Sequence, residues 1–241
     1  MNDNYKKKIL IVTDYYYPHI SGIVTYIDQM INSFKNENYL ITILTTQHDK
    51  NLDLIKKYRK IEIIRCKPTI NISRGSYSLQ LVYKFCKIYK KYDYINIHFP
   101  LTEIFPIFLF LSKNTILNYH CLPDFNFYQK IFSFYFYFFG LISIFISKKN
   151  VVLSKDYFEN IFFHKFFLKN VVEIPPYVKD QNNKKLNPIK KNNSDVLKIG
   201  YLGRICEEKG LENLILASEL LEKRKIKHKM IIAGDLEDMR F

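Results

Sequence analysis

Short apolar runs alternate along the chain with segments whose apolar residues have helical spacing. Several runs are nearly continuous, which is typical of parallel strands covered on both faces. Strands are predicted at 9–13, 39–46, 61–66, 94–98, 115–120, 150–153 and 171–174. Helices are predicted near 23–36, 78–91, 103–112, 127–146 and 155–168. This order predicts βαβ units and therefore an α/β fold with a doubly wound parallel sheet.

The pattern breaks at 179–195, where the sequence KDQNNKKLNPIKKNNSD has the polar composition of a linker. A strand at 196–202, a helix at 209–225 and a strand at 229–233 follow it. We therefore predict a first Rossmann-like domain over 1–178, a linker over 179–195 and a second Rossmann-like domain over 196–241. Because a two-stranded parallel sheet cannot cover its own faces, we expect the second domain to be incomplete in this chain.

Composition limits the function classes. The chain has 241 residues, of which 48% are hydrophobic, enough for a substantial core. The formal net charge is +14, but only 6 of the 37 basic residues are Arg, the side chain best suited to reading phosphates and bases. Ile, Lys, Asn, Phe and Tyr dominate, so codon bias accounts for much of the charge. Specific nucleic-acid binding is not expected, whereas attraction to an anionic membrane surface stays open.

Cysteine spacing and the N-terminus bear on metals and location. Cys66, Cys86, Cys121 and Cys206 form no CxxC pair and have no His at zinc-finger spacing, so we expect reduced thiols and no metal cluster. The first apolar run is too short for the core of a signal peptide, so a cytoplasmic location is expected.

Residues 131–146 form a run of 16 residues without a charge. A membrane-spanning helix needs about 20 apolar residues. The run therefore predicts a buried or membrane-facing helix rather than a span. Peripheral docking of its aromatic face on the inner side of a membrane is a second interpretation.

The first strand is followed by a loop that runs from Asp14 to Gly22. A G-x-G-x-x-G dinucleotide motif is absent there, which disfavours an NAD or FAD enzyme. Gly22, at the start of the next helix, can let a ligand approach the backbone N–H groups. An ordinary strand-to-helix turn explains the same glycine equally well.

Polar residues follow three neighbouring strands. His120 ends one of them, and the carboxyl ends of parallel strands are where open α/β sheets bind ligands. An imidazole there can bind a sugar hydroxyl or a phosphate, although a packed histidine is the commoner case. His98 ends the preceding strand and raises the same alternatives. Ser154 follows the next strand, where it also suits a helix N-cap.

The segment Gly203-Arg204, four residues, then Lys209-Gly210 links a strand to a helix. It combines a bare backbone turn, two cations and a helix N-terminus. This combination is suited to binding a diphosphate.

Taken in order, these segments resemble family 4 glycosyltransferases of the GT-B fold. Pro18 to Gly22 resembles the family's glycine-rich first loop, and Tyr119-His120 its histidine at a strand end. Val152-Leu-Ser154 and Glu173-Ile-Pro-Pro-Tyr-Val resemble later segments of the first domain. Gly203-Arg204 with Lys209-Gly210 matches the donor-binding motif, and Ile231-Ile-Ala-Gly-Asp resembles the strand that follows it.

The resemblance implies transfer of a sugar from a nucleotide donor, with retention of configuration, to a glycan or lipid-linked acceptor held mainly by the first domain. Arg204 and Lys209 would stabilise the leaving diphosphate, Gly203 and Gly22 would allow close approach of the backbone, and His120 would contact the transferred sugar. Ser21, His98 and Ser154 are further candidates for substrate contact. The resemblance implies no metal and no cofactor beyond the nucleotide sugar, and it suggests synthesis of a cell-surface polysaccharide or glycolipid.

Two departures from the family pattern matter. Ser21 stands where many members have a glycine, and its Cβ restricts positive φ. The family's Glu-x7-Glu segment would lie beyond Gly234-Asp235 and is not in this sequence. We therefore expect a truncated, fragmentary or split enzyme that is weak or inactive alone. The alternative is a non-catalytic module that binds an acceptor, a membrane or a partner.

Overall fold

The computed structural model describes residues 7–34, 39–58, 61–72, 75–111, 114–123, 130–161, 170–176, 196–206 and 209–234. Contacts divide the chain into two units, Met1–Lys179 and Asp180–Phe241. The predicted linker at 179–195 lies outside the described residues, so its boundaries stay a prediction.

The first unit contains ten strands, five α-helices and a short 3₁₀ helix, Tyr89–Lys91, among its described residues. The strands are β1 Lys7–Thr13, β2 Tyr39–Thr46, β3 Ile55–Tyr58, β4 Ile61–Cys66, β5 Ile70–Ile72, β6 Gly75–Tyr77, β7 Tyr94–Phe99, β8 Thr115–Tyr119, β9 Lys149–Val152 and β10 Val171–Glu173. The helices are α1 Gly22–Ser33, α2 Leu79–Ile88, α3 Ile104–Phe108, α4 Lys130–Ile146 and α5 Lys155–Glu159.

Eight strands form one sheet in the order β10-β9-β8-β7-β1-β2-β4-β3. All neighbours pair in parallel except β3, which runs antiparallel to β4 at one edge. The strand order steps outward in both directions from β1, as a doubly wound sheet requires. The predicted α/β class is therefore confirmed.

The central strand β1 supplies alternate residues to two separate cores. Ile9 and Ile11 pack with Val24, Ile27 and Ile31 of α1 on one face of the sheet. Leu10 and Val12 belong to the larger core on the opposite face. That core also includes residues from the other four helices, among them Phe85, Ile104, Phe136 and Phe158. The continuous apolar run of β1 is thus explained by burial on both faces.

Some elements differ from the sequence prediction. The antiparallel strand β3 and the short hairpin of β5 and β6 were not predicted, because their segments are short and rich in polar residues. Helix α3 covers Ile104–Phe108 rather than the predicted 103–112, and Pro106 lies inside it. The described part of α5 ends at Glu159, and residues 162–168 of its predicted range lie outside the described residues.

The second unit contains β11 Leu197–Leu202, α6 Leu211–Lys223 and β12 His228–Ala233. The two strands pair in parallel, with Leu197 opposite His228 and Leu202 opposite Ala233. This is the βαβ unit that the sequence predicts. None of the residues in α6 is buried, and Ile215, Leu216 and Leu220 are exposed.

Helix α4 approaches the sheet closely at Gly140. A Cβ added there would lie 2.9 Å from Cζ of Phe99, and the Phe99 ring is fully buried and stacked on Tyr119. The ring therefore has little room to move. Gly140 allows a helix of bulky aromatic residues to lie against β7.

We predict that Gly140→Ala lowers the free energy of unfolding by about 1–2 kcal/mol, because overpacking outweighs the gain in helix propensity. Denaturant unfolding measures the change. Gly22→Ala is the matched control, since its added Cβ meets nothing within 4 Å and its stability should be equal or higher. Equal stabilities of the two variants would contradict the close packing of α4 on Phe99.

Candidate functional site

The candidate residues of the first unit lie at the carboxyl edge of the sheet. Strands β9, β8, β7 and β1 are neighbours, and the residues that follow them include Ser154, His120, Thr102 and Asp14. Parallel strands end at the same edge, so these loops converge there. The sequence prediction of this edge as a binding region rests on the same argument.

His120 and His98 form a stacked pair. Their ring centroids are 5.2 Å apart, and Nδ1 of His98 lies 2.9 Å from Nε2 of His120. His98 belongs to β7 and is fully buried, whereas His120 follows β8 and is partly exposed. A ligand at this edge can therefore contact His120 directly, and His98 lies behind it. Substrate contact by either residue stays a prediction.

Burial keeps both imidazoles neutral. It lowers the pKa of His120 to about 4 and, together with the nearby His120, lowers the pKa of His98 well below its usual value. One of the two facing nitrogens must then carry the hydrogen of their shared bond. Nε2 of His98 is buried without a hydrogen-bond partner among the described residues. A neutral His120 can exchange hydrogen bonds with a sugar hydroxyl but does not supply a positive charge at neutral pH.

Tyr26 connects the histidine pair to the start of α1. Its ring meets His120 edge-on at 5.1 Å and His98 at 6.1 Å. Gly22 lies four residues earlier on the same face of the helix as Tyr26. The structure therefore brings two predicted residues, Gly22 and His120, to the same side of α1.

Ser21 is the N-cap of α1. Its Oγ accepts a hydrogen bond from the backbone N–H of Val24 at 3.2 Å, and its φ is −155°. The backbone at Ser21 is extended, so a glycine is not needed there for its conformation. Gly22 is exposed, with open space where a Cβ would stand. Packing within the described residues therefore gives no reason for a glycine at position 22, and the space is available to a ligand.

Ser154 caps α5 in the same way. Its Oγ accepts a hydrogen bond from the N–H of Tyr157 at 3.3 Å. This contact agrees with the N-cap alternative from the sequence. Substrate contact by Ser154 stays a prediction.

Asp14, which the sequence analysis did not select, joins two loops of the edge. Its carboxylate accepts hydrogen bonds from the backbone N–H of Thr102 at 2.9 Å and from the Thr102 hydroxyl. The carbonyl of Thr102 in turn accepts a 2.9 Å bond from the hydroxyl of Tyr135 in α4. Loops after β1 and β7 are thereby fixed to each other and to α4. A polar residue directly after an apolar strand was the available sequence signal.

Glu103 lies beside this network and is fully buried. Its Oε1 accepts a 2.6 Å bond from the backbone N–H of Ser78, the N-cap of α2. Burial raises the pKa of Asp14 to about 6, and burial plus the nearby Asp14 raises the pKa of Glu103 well above its usual value. Two carboxyl groups in one buried region resist simultaneous ionisation.

A second aromatic group, also missed by the sequence analysis, follows β1 and β2. The rings of Tyr15, His19 and His48 lie 5.0 to 5.7 Å apart. Beneath them Arg65 is almost completely buried and donates hydrogen bonds to the backbone carbonyls of Asp53 and Tyr17. Arg65 thereby holds the loop that follows β1 in place through the carbonyl of Tyr17.

The predicted diphosphate-binding turn lies in the second unit. Gly203 follows β11, and its N–H donates a 3.0 Å bond to the carbonyl of Ala233. A Cβ on Gly234 would collide with the backbone carbonyl of Gly203, so the ends of β11 and β12 meet only because position 234 is a glycine. This close approach shapes the turn that carries Arg204.

Two cations flank that turn. Arg204 is exposed, and its backbone carbonyl accepts a 2.8 Å bond from the Tyr201 hydroxyl. Lys209 is exposed immediately before Gly210, which is the N-cap of α6 with φ 61° and ψ 34°. That left-handed conformation favours glycine. Backbone geometry thus accounts for Gly210, and the exposed Lys209 stands beside the N-terminus of α6, where anions bind.

Within the described residues, no three His, Cys, Asp or Glu side chains are grouped so that they could hold a metal ion. The prediction that this protein needs no metal remains to be tested.

Several solved structures have a similar architecture. Sucrose-phosphate synthase from Thermosynechococcus elongatus matches with a TM-score of 0.65 and 14% identity, over 98% of this chain and 64% of that chain. An E. coli trehalose-6-phosphate protein bound with UDP-2-fluoro glucose matches with a TM-score of 0.61 and 11% identity, over 96% and 65%. An alpha-glucosyltransferase in complex with UDP and a 13-mer DNA matches with a TM-score of 0.51 and 14% identity, over 97% of this chain and 58% of that chain.

These likenesses extend across both units. The chain has a GT-B fold, as predicted from the sequence, and it spans slightly under two thirds of the length of the first two structures. At these identities the likeness concerns the fold alone. No family model matches the sequence, and a search of curated proteins finds no relative. Membership of family 4 therefore stays a prediction.

We predict opposite pH effects from His120 and Asp14. The pKa of His120 in the folded protein is about 4, below its usual 6.5, so the unfolded chain binds more protons between these two pH values. Stability therefore falls as the pH is lowered from about 6.5 to 4. The folded pKa of Asp14, about 6, lies above its usual 3.8, so stability rises as the pH falls through that window.

Urea unfolding as a function of pH separates the two effects. Between about pH 6 and 4, Asp14→Asn should lose stability more steeply than the wild type, because the opposing contribution is gone. His120→Gln should lose stability less steeply. Parallel profiles for all three proteins would show that these groups do not titrate as their burial requires.

Proposed function

We propose that this protein is a retaining glycosyltransferase of family 4 that uses a nucleotide sugar as donor. The observation that carries the proposal is the place of Arg204 and Lys209. Both cations flank a glycine turn at the carboxyl end of β11, in the second unit of a GT-B fold. Two of the similar structures contain UDP or a UDP sugar.

The chemistry assigned to these cations is electrostatic. As the bond between the sugar and the diphosphate breaks, negative charge grows on the leaving phosphate. A guanidinium and an ammonium held beside a helix N-terminus stabilise that charge more in the transition state than in the ground state. Such side chains can take the part that a metal ion plays in other transferases, and for this reason we propose a metal-independent reaction.

The first unit supplies the other contacts in this proposal. Open space at Gly22 lets the donor approach the backbone N–H groups at the start of α1. His120, neutral and partly exposed, exchanges a hydrogen bond with a hydroxyl of the transferred sugar. The acceptor is a growing glycan or a lipid-linked sugar of cell-surface polysaccharide or glycolipid synthesis.

We predict that Arg204→Ala and Lys209→Ala each weaken binding of nucleoside diphosphates about 10- to 100-fold, the loss that follows removal of one charged hydrogen-bonding group. Titration calorimetry of the full chain with UDP and with GDP measures it. In any catalytically active form, turnover should fall by about 10²–10³.

Lys198→Ala is the matched control for these two substitutions. Lys198 is also exposed and basic, but it lies near the start of β11, at the opposite end of the strand from Arg204. Its removal should leave binding nearly unchanged. Equal losses in all three variants would indicate a general charge effect, and unaltered binding in Arg204→Ala and Lys209→Ala would remove both from the site.

We predict that Gly22→Val weakens binding of the same nucleotides about tenfold while the melting temperature stays near the wild-type value. The new side chain would enter space that is open in the structure and that the proposal assigns to the donor. Differential scanning fluorimetry gives the stability, and calorimetry gives the affinity. Asn32→Val, at an exposed position near the other end of α1, controls for a β-branched residue in this helix. Unchanged affinity in Gly22→Val would place the donor elsewhere.

A further inference from the structure

Helix α4 is apolar on its outer face as well as on its inner face. Phe136, Ser143 and Ile144 are buried toward the sheet. On the outside, Phe134, Phe138 and Phe145 are 67%, 45% and 71% exposed. Residues 134, 138 and 145 lie within about 40° of one another around a helix of 3.6 residues per turn. A helix that is hydrophobic all round is usually buried in protein or in lipid.

The neighbouring helix α3 extends this surface. Phe105 is 45% exposed and Leu109, at the end of α3, is 65% exposed. Phe139 joins the two helices, since its ring lies 4.6 Å from that of Phe105 and 5.1 Å from that of Phe138. Phe138 in turn stacks on Phe134 at 5.9 Å. We call Phe105, Leu109, Phe134, Phe138 and Phe145 the aromatic patch.

Cations flank one end of the aromatic patch. Helices α2 and α4 both lead into parallel strands, so the C-terminal ends of both lie at the amino edge of the sheet, and Lys148 and Lys149 follow α4 directly. The exposed lysines there are Lys87, Lys90, Lys91, Lys148 and Lys149. None of the residues described in α2, α3 and α4 is acidic. The border of the apolar surface therefore carries positive charge, which Asp93, the exposed carboxylate after Lys91, offsets only in part.

We propose that the aromatic patch docks this protein on an anionic lipid membrane. Aromatic side chains enter the interface between headgroups and acyl chains, and the lysines at its border contact the headgroups. No helix among the described residues is both long and apolar enough to cross a membrane, so α4 lies along the surface rather than through it. Self-association of two copies through the patch is the other outcome that the test below distinguishes.

Hydrogen bonds link the aromatic patch to the carboxyl edge of the sheet. The hydroxyl of Tyr135 accepts a 3.2 Å hydrogen bond from the N–H of Phe105 and donates to the carbonyl of Thr102. Thr102 is held by Asp14 at the candidate site. Docking through Phe105 and Phe134 therefore brings the candidate site next to the lipid surface, where a lipid-linked acceptor would lie. Membrane docking itself does not depend on whether the chain transfers sugar.

Co-sedimentation of the full chain with vesicles tests the proposal. Vesicles of phosphatidylcholine with phosphatidylglycerol should bind the wild type, and pure phosphatidylcholine vesicles should bind it more weakly. Phe134→Ser and Phe145→Ser should each lower the partition coefficient about fivefold or more. Lys148→Gln and Lys149→Gln should each lower it about fivefold on anionic vesicles only.

Ile55→Ser is the matched control. Ile55 is 60% exposed on β3, at the far edge of the sheet from α4, and its replacement should leave vesicle binding unchanged. The proposal is overturned if the wild type binds neither vesicle, or if Ile55→Ser loses as much binding as Phe134→Ser. A stable dimer in sedimentation velocity that Phe134→Ser dissociates would assign the patch to self-association instead. If the phenylalanine variants do not fold, the surface lysine variants decide alone.

Discussion

The position of every candidate residue in the first unit depends on a parallel sheet that is buried on both faces. Strand β1 lies at its centre, with Ile9 and Ile11 in one core and Leu10 and Val12 in the other. Because both faces are covered by helices, only the strand ends remain for binding. The carboxyl edge collects the loops after β1, β7 and β8, and the hydrogen bonds of Asp14 to Thr102 fix two of these loops together.

Burial at this edge also sets the charges of the site. Burial lowers the pKa values of His98 and His120, so both imidazoles are neutral at neutral pH. Burial raises the pKa values of Asp14 and Glu103, so these carboxyl groups stay protonated to higher pH than carboxyl groups in water. In the described part of the second unit, two exposed cations occupy the turn after β11. These cations suit the proposed binding of a nucleotide diphosphate by the second unit.

Much of the fold was predictable because apolar runs and helical spacing directly express burial. The central strands were found from their continuous apolar residues, and α4 from its uncharged run. The edge strand β3 and the hairpin of β5 and β6 were missed, since their segments are short and partly polar. At the site, sequence alone suggested His120 and Gly22 through their places next to strands and helices. It could not reveal that His98 lies behind His120, because stacking across two strands depends on register. Asp14, Glu103 and Arg65 were missed because their contacts join residues that are distant in sequence.

We propose that a nucleotide diphosphate binds at the glycine turn that follows β11 in the second unit. The most direct measurement is a titration of the isotope-labelled full chain with a nucleoside diphosphate, followed by backbone amide chemical shifts. The largest shift changes are expected at 203–210, and changes are also expected at 21–24 at the start of α1. Changes confined to other parts of the chain, or no changes at nucleotide concentrations that saturate ordinary donor sites, would contradict nucleotide binding at the glycine turn.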